Sequence, residues 1–215
     1  MDKQVRLTLP IQFRKATRAL DDGNTVEDMI VEGYAFKYDS ETVLYETRDG
    51  FQYREVIERG ALDGADLSDV PHKYNHNDGV FIVARTRNKS MELIPDDTGL
   101  KQVSRIIDTQ TGRDYFKMVQ EGLIDRMSFA FTEDDFTEEY GDNYVLHRIK
   151  KFKRIWDVSG VDIPAYDATE IYARSIAVLE KRRGEVLERA MQQKRKRMML
   201  ENKITEFLEE NNNEH

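Results

Sequence analysis

The chain contains no cysteine. That absence excludes thiol nucleophiles, disulfides and thiolate metal sites together. Histidine is nearly as scarce: His72, His76, His147 and His215 are the whole supply, so any imidazole chemistry rests on one of these. No apolar run is long enough to span a bilayer, and Met1-Asp-Lys-Gln-Val5 does not read as a signal peptide. The expectation is a protein that starts in a cytoplasm and has no membrane partner. Positive charge is in deficit as well. A net charge of −8 disfavours general nucleic-acid binding and leaves only a local basic run, Lys194-Arg-Lys-Arg197, which reads as a solvated helix face.

What is present suits one soluble domain with an extension. The 215 residues are 39% hydrophobic and 34% charged, enough for a proper core. From Val5 to about Ala173 the chain reads as short strands broken by Gly, Asp and Asn. Val31–Phe36 and Leu100–Ile106 alternate as strands do, and Val80–Ala84 is a continuous apolar run suited to a strand buried on both faces. Pro95–Gly99 reads as a turn. A helix is expected over Gly112–Glu121, with Thr111 as N-cap, Gly122 closing it, and Phe116, Val119 and Leu123 on its apolar side. A shorter helix is expected over Glu58–Asp66. The predicted class is α+β, mostly β: a β-barrel core of short, mainly antiparallel strands with peripheral helices.

From about Ser175 to Leu208 the pattern becomes a long charged helix. In heptads, Ile176, Arg183, Ala190, Arg197 and Ile204 share one position, and Leu179, Val186, Gln193, Leu200 and Phe207 the other. The arginines and the glutamine interrupt the seam, so self-association through this helix is one outcome among others. The expected organisation is therefore a β domain over 1–174 and a helical extension over 175–215.

Three segments carry reactive side chains. In Met127-Ser-Phe-Ala-Phe131 a strand would send Met127, Phe129 and Phe131 to one side and Ser128 and Ala130 to the other. Large side chains then fill a core while small ones leave room for a substrate backbone. A serine on the solvent face of an amphipathic strand is the commoner meaning of such a segment. Pro71-His-Lys-Tyr-Asn-His-Asn-Asp-Gly79 offers His72 and His76 four apart. That spacing binds metal when both lie on a helix, but the Pro, Asn, Asp and Gly here indicate a strand end and loop. No matching ligand cluster appears elsewhere, so neither metal nor cofactor is expected. A neutral imidazole from this segment would suit a general base, and a loop histidine that is merely exposed is the alternative. Asp157, after the single tryptophan Trp156, enters an apolar strand and must be hydrated, paired or hydrogen-bonded. It could accept the second N–H of His76, or simply pair with Lys153 or Arg154. Ser159 shares its strand face and is placed to help hold the carboxylate.

In order along the chain, several segments resemble those of the prohead proteases of tailed phages. Gly33-Tyr-Ala-Phe36 is similar to the family's first strand motif, and Glu55–Leu62 to its Glu…Gly-Ala-Phe segment, with Leu62 replacing the aromatic. Asn75-His-Asn77 resembles the Asn-His-Asp motif of the catalytic histidine. Gly112-Arg-Asp114 and its helix resemble the approach to the nucleophile. Met127–Phe131 resembles Met-Ser-Phe-Gly-Phe, with Ala130 for Gly, and Asp157-Val-Ser159 with Pro164-Ala-Tyr166 resembles the closing signature.

The resemblance implies a β-barrel fold related to herpesvirus assembly proteases and a serine endopeptidase with Ser128 as nucleophile, His76 as base and Asp157 as the third member. His72 is the rival base and His147 the rival third member, because the herpesvirus relatives use a second histidine there. It implies as substrates the scaffold region of the major capsid protein or a separate scaffold protein, and the protease itself, inside assembling proheads in the bacterial host cytoplasm. Oxyanion donors are expected from backbone near Gly160–Tyr166, helped by Arg85, Arg126 or Arg154. The alternative is a catalytically silent assembly factor with the same fold; a small-molecule esterase or amidase is a further rival.

Overall fold

The computed structural model describes residues 4–46, 50–79, 82–162, 184, 187–201, 203 and 204. Its strands are β1 (Gln4–Pro10), β2 (Gln12–Ala19), β3 (Thr25–Lys37), β4 (Thr42–Glu46), β5 (Gln52–Ile57), β6 (Pro71–Tyr74), β7 (Ala84–Arg85), β8 (Met91–Pro95) and β9 (Gly99–Ile106). Helix α1 (Gln110–Gln120) follows, then the long strands β10 (Arg126–Tyr140) and β11 (Tyr144–Val161). They form two sheets. One runs β1-β10-β11-β5-β4, with β6 and β7 adjoining β11; the other runs β2-β3-β9-β8. The pairings are antiparallel except for two made by β11, whose first half lies parallel to β5 and whose last residues lie parallel to β6. The fold is mostly β, as the alternation in the sequence implies.

Aromatic alternation on the long strands builds the core. Phe129 and Phe131 of β10 and Phe152 of β11 meet Phe36 of β3, with ring centroids 5.1 Å apart for Phe36–Phe129 and 4.9 Å for Phe131–Phe152. All four are buried. Truncating one such ring to alanine costs about 3–5 kcal/mol, because the transfer energy is lost and a cavity remains. Register shifts at Ala130/Phe131 and again before Phe136 let the β10–β11 hairpin bend around this core. A second cluster of Val31, Ile106, Tyr115, Phe116, Val119 and Ile124 lies under α1.

Several local expectations are corrected. The N-cap of α1 is Thr109, whose extended backbone and side-chain acceptance from Gly112 N at 3.0 Å start the helix two residues early. Leu123 is exposed and Ile124 takes the core position, because Gly122 turns the chain with a φ of 72°. Glu58–Asp66 forms successive turns rather than a helix. Gly60 and Gly64, at φ 86° and 80°, adopt left-handed backbone that a right-handed helix excludes. Within Val80–Ala84, Val80 and Phe81 lie outside the described residues and Ile82 is exposed. Of the described residues in this run, Val83 and Ala84 turn inward, with Val83 N donating to His72 O at 3.0 Å.

The described part of the charged C-terminal stretch, including 187–201, is helical. It presents Met191, Met198, Met199 and Leu200 to solvent. Arg189 approaches Glu138 at 3.7 Å and Arg197 approaches Asp142 at 3.9 Å, both near the tip of the β10–β11 hairpin. The expected domain border near residue 174 lies outside the described residues. Among the described residues no helix is long and apolar enough to cross a membrane.

Candidate active site

Strand register brings the small polar residues together. Ser128 on β10 pairs with Ser159 on β11, and Ala130 pairs with Asp157. On the other side of β11, β6 sets Lys73 beside Ser159. Residues directly paired across a sheet share a face, so one face collects Ser128, Asp157, Ser159 and Lys73. Met127, Phe129 and Phe131 point into the core on the other face, as their alternation predicts.

His76 reaches this face from the turn after β6. Its Nε2 lies 2.6 Å from Ser128 Oγ, and its Nδ1 contacts Asp157 Oδ1. Asp157 is fully buried; Ser128 and the His76 side chain expose 2% and 7% of their surface. An ionised carboxylate only accepts, so Nδ1 carries the ring proton, and Nε2 is left as acceptor for the Ser128 hydroxyl. Ser159 Oγ donates to Asp157 Oδ1 at 3.1 Å and accepts from His76 N at 3.2 Å, fixing both the acid and the base backbone. Lys73 Nζ stands 3.7 Å from Asp157 Oδ2 and also pairs with Asp78. Of the alternative partners for Asp157, Arg154 pairs with Asp66 at 3.2 Å and lies over the Trp156 ring.

The turn that presents the imidazole is conformationally unusual. Asn75 and His76 have φ of 50° and 54°, a left-handed region that Asn tolerates better than His. Such backbone persists where surrounding bonds over-determine it. Here Asn75 N donates to Gly160 O at 3.1 Å and Asn75 Nδ2 to Asp162 Oδ1 at 2.8 Å, while Asn77 N returns to Tyr74 O at 3.0 Å. Tyr74 donates its hydroxyl to Asp162. Burial, then that bond and the Asp162 charge, push the Tyr74 phenol up to about 12.

The rival histidines stand elsewhere. His72 is fully buried on the opposite face of β6, with Nδ1 2.8 Å from Ser104 Oγ and Nε2 2.8 Å from the Tyr115 hydroxyl. Burial drives it down to about 3, against the opposing pull of Asp157. Tyr115 is likewise buried and raised by desolvation, and its oxygen receives the Gly160 N–H. That hydroxyl proton needs an acceptor, so it points to His72 Nε2, and His72 Nδ1–H donates to Ser104. His147 lies in the other half of β11, with Nε2 2.7 Å from Glu133. The Gly160 N–H is thus already engaged, and residues 163–166, including Pro164-Ala-Tyr166, lie outside the described residues. Arg85 is held by Asp69 through two nitrogens, with Nη2 at 2.7 Å. Sequence reasoning missed Lys73, Asp162, Ser104 and Tyr115. Only Asn75, next to the histidine and tolerant of left-handed backbone, carried a usable signal. Among the described residues no cluster of His, Asp and Glu is arranged to hold a metal.

A hydroxyl, an imidazole and a buried carboxylate thus stand in hydrogen-bonded line on a mostly β scaffold, the order in which serine hydrolases set their reacting groups. The profile of the caudovirus prohead serine protease family matches residues 15–182, which include all three side chains, and the chain belongs to that family. Its class of activity is that of a serine protease of capsid maturation. Among solved structures it is similar to the bacteriophage T4 capsid assembly protease, gp21. The TM-score is 0.48 at 11% identity over 75% of this chain and 99% of that one. No curated protein matches the chain.

Proposed function

We propose that the chain is an endopeptidase in which Ser128 attacks the scissile carbonyl, His76 accepts its proton, and Asp157 orients His76. His76 Nε2 takes the hydroxyl proton as the C–O bond forms, giving a tetrahedral intermediate and an imidazolium held by Asp157. That proton passes to the departing amine as the C–N bond breaks, leaving an acyl-enzyme. Water, deprotonated by the same imidazole, then releases the acid and regenerates Ser128. The observation that carries this reading is the 2.6 Å approach of Ser128 Oγ to His76 Nε2, with Asp157 on the other ring nitrogen. Protein substrates follow from the family: the capsid scaffold region or a separate scaffold protein, and the protease itself, within proheads assembling in the host cytoplasm.

The residues divide in this reading into a catalytic β domain over 1–174 and a helical extension over 175–215 that attaches the protease to scaffold and is removed after assembly. The exposed Met191, Met198, Met199 and Leu200 support a partner-binding role for the extension. Finding the full-length chain retained in mature particles would count against its removal.

The test is co-expression with the cognate capsid or scaffold protein, comparing wild type with Ser128→Ala and following products by intact mass. Processing should vanish in a folded Ser128→Ala variant. Equal processing in both removes Ser128 as nucleophile. No processing in either, with the cognate partner present, favours a silent assembly factor of the same fold.

A further inference from the structure

We propose that Lys73 is a positioning residue that holds the buried Asp157 carboxylate and sets the pH range in which His76 works as a base. The proposal rests on the Ser128–His76–Asp157 reading above. Asp157 is fully buried, and in the resting site the neutral imidazole cannot balance its charge. The nearby cation is Lys73, whose side chain is 11% exposed and whose Nζ lies 3.7 Å from Asp157 Oδ2. His76 uses the other carboxylate oxygen, Oδ1, so the ammonium and the imidazole grip the two oxygens of one acid. Register explains the placement: Lys73 pairs with Ser159, two residues beyond Asp157 on the same face of β11. A lysine beside a catalytic acid competes with the imidazolium that forms during reaction. It therefore favours the neutral, basic form of His76 at lower pH, and it keeps the carboxylate fixed where the ring needs it.

The other described groups named around the ring carry no positive charge to set beside Asp157. From β11 come Asp157 and Ser159, from β10 Ser128, and from the loop after His76 comes Asp78, which pairs with Lys73 and is 82% exposed. Tyr74 and Asp162 pair with each other beside the turn. His72 faces away from the site and is neutral over the working range. Asp78 thus tempers Lys73 from the solvent side. The two side chains push His76 in opposite directions: Lys73 disfavours the imidazolium and Asp78 favours it.

That opposition gives a test that a merely structural role would not reproduce. His76 ring signals are titrated by NMR in the full chain carrying Ser128→Ala, alone and with Lys73→Met, Lys73→Arg or Asp78→Asn added. Lys73→Met should move the His76 midpoint up by about 0.5–1 pH unit. The corresponding loss in kcat/KM for Ser128-dependent processing below the midpoint is about 3–10-fold. Lys73→Arg should stay near the parent value, and Asp78→Asn should move the midpoint down by a smaller amount. An unmoved midpoint in folded Lys73→Met overturns the proposal, and so does a shift of the same sign in Lys73→Met and Asp78→Asn. Lys73→Gln, which keeps a polar head against Asp157, replaces Lys73→Met with the same expectation if the methionine variant does not fold. The triad reading fails separately, through continued processing by Ser128→Ala, so the two failures are distinguishable.

Discussion

Gly160 tests whether the polar network behind the site positions the base. A methyl group built at Gly160 falls inside the contact radius of the Tyr115 hydroxyl, with Ile124 Cγ2 at 2.9 Å and Tyr115 Cζ at 3.1 Å. Tyr115 has no room to retreat, because its ring is buried between α1 and the sheet. Overpacking of this kind costs about 1–3 kcal/mol. Moving the Tyr115 hydroxyl also strips partners from the Gly160 N–H and from His72 Nε2, at about 1–3 kcal/mol for each buried group. Gly160→Ala should therefore destabilise by about 3–9 kcal/mol, read as a lower urea midpoint at constant m. The effect on activity follows from the neighbouring bond. Gly160 O receives Asn75 N, one residue before His76, so a shift of this strand end moves the imidazole. A misplacement of about 1 Å is enough to lower turnover about 100-fold.

Tyr115→Phe provides the internal control. Alone it leaves the same two polar groups unpaired and should also destabilise. Combined with Gly160→Ala it removes the most severe clash, so the double variant should be more stable than the summed losses by about 1–3 kcal/mol. Simple additivity, or a Gly160→Ala variant within about 0.5 kcal/mol of the parent, would refute the network.

Other expectations follow from the same geometry. Asp157→Asn should lower turnover by about four orders of magnitude, the loss seen when a tautomer-selecting acid becomes an amide; a loss under about ten-fold would remove Asp157 from the site. Ser159→Ala deletes one bond to Asp157 Oδ1 and one from His76 N. It should slow processing by about 3–10-fold, the equivalent of one ordinary hydrogen bond, and parent-like rates would show the bonds to be incidental. Acid stability should depend on His72, which burial lowers from 6.5 to about 3. The unfolded chain then binds the extra proton within that window, so stability is complete above pH 6.5 and falls toward pH 3 by about 1.4 kcal/mol per unit. His72→Gln cannot titrate, so its denaturation free energy should fall less steeply between those pH values; parallel curves would exclude His72 as the source.

Local pattern was legible where one short segment decides its own structure. The alternation of Val31–Phe36 and Leu100–Ile106 became β3 and β9, because period-two apolar spacing fits a half-buried sheet and little else. The Met127–Phe131 segment divided its faces as predicted for the same reason. Failures came where backbone conformation or the path of the chain outvoted side-chain pattern. Glu58–Asp66 has helix-compatible residues, yet two glycines in left-handed backbone fold it into turns. Val80–Ala84 is apolar throughout, yet of its described residues Ile82 faces water while Val83 and Ala84 are buried.

The two histidines of Pro71–Gly79 show why a site is harder to read than a strand. In sequence His72 and His76 differ little, and each could serve as a base. Pairing of β6 with β11 separates them: His72 sits opposite Val158 and Lys73 opposite Ser159. One residue of register sends the imidazole of His72 away from Ser128 and brings an ammonium to Asp157 instead. His76 then regains the productive face only because Asn75 and His76 turn through left-handed backbone, held by Gly160, Asp162 and Ser159. Those holding groups lie more than eighty residues further along the chain. The reactive atoms are thus written in short motifs, but their orientation is written in which strands meet, and a single sequence encodes that only through the whole fold.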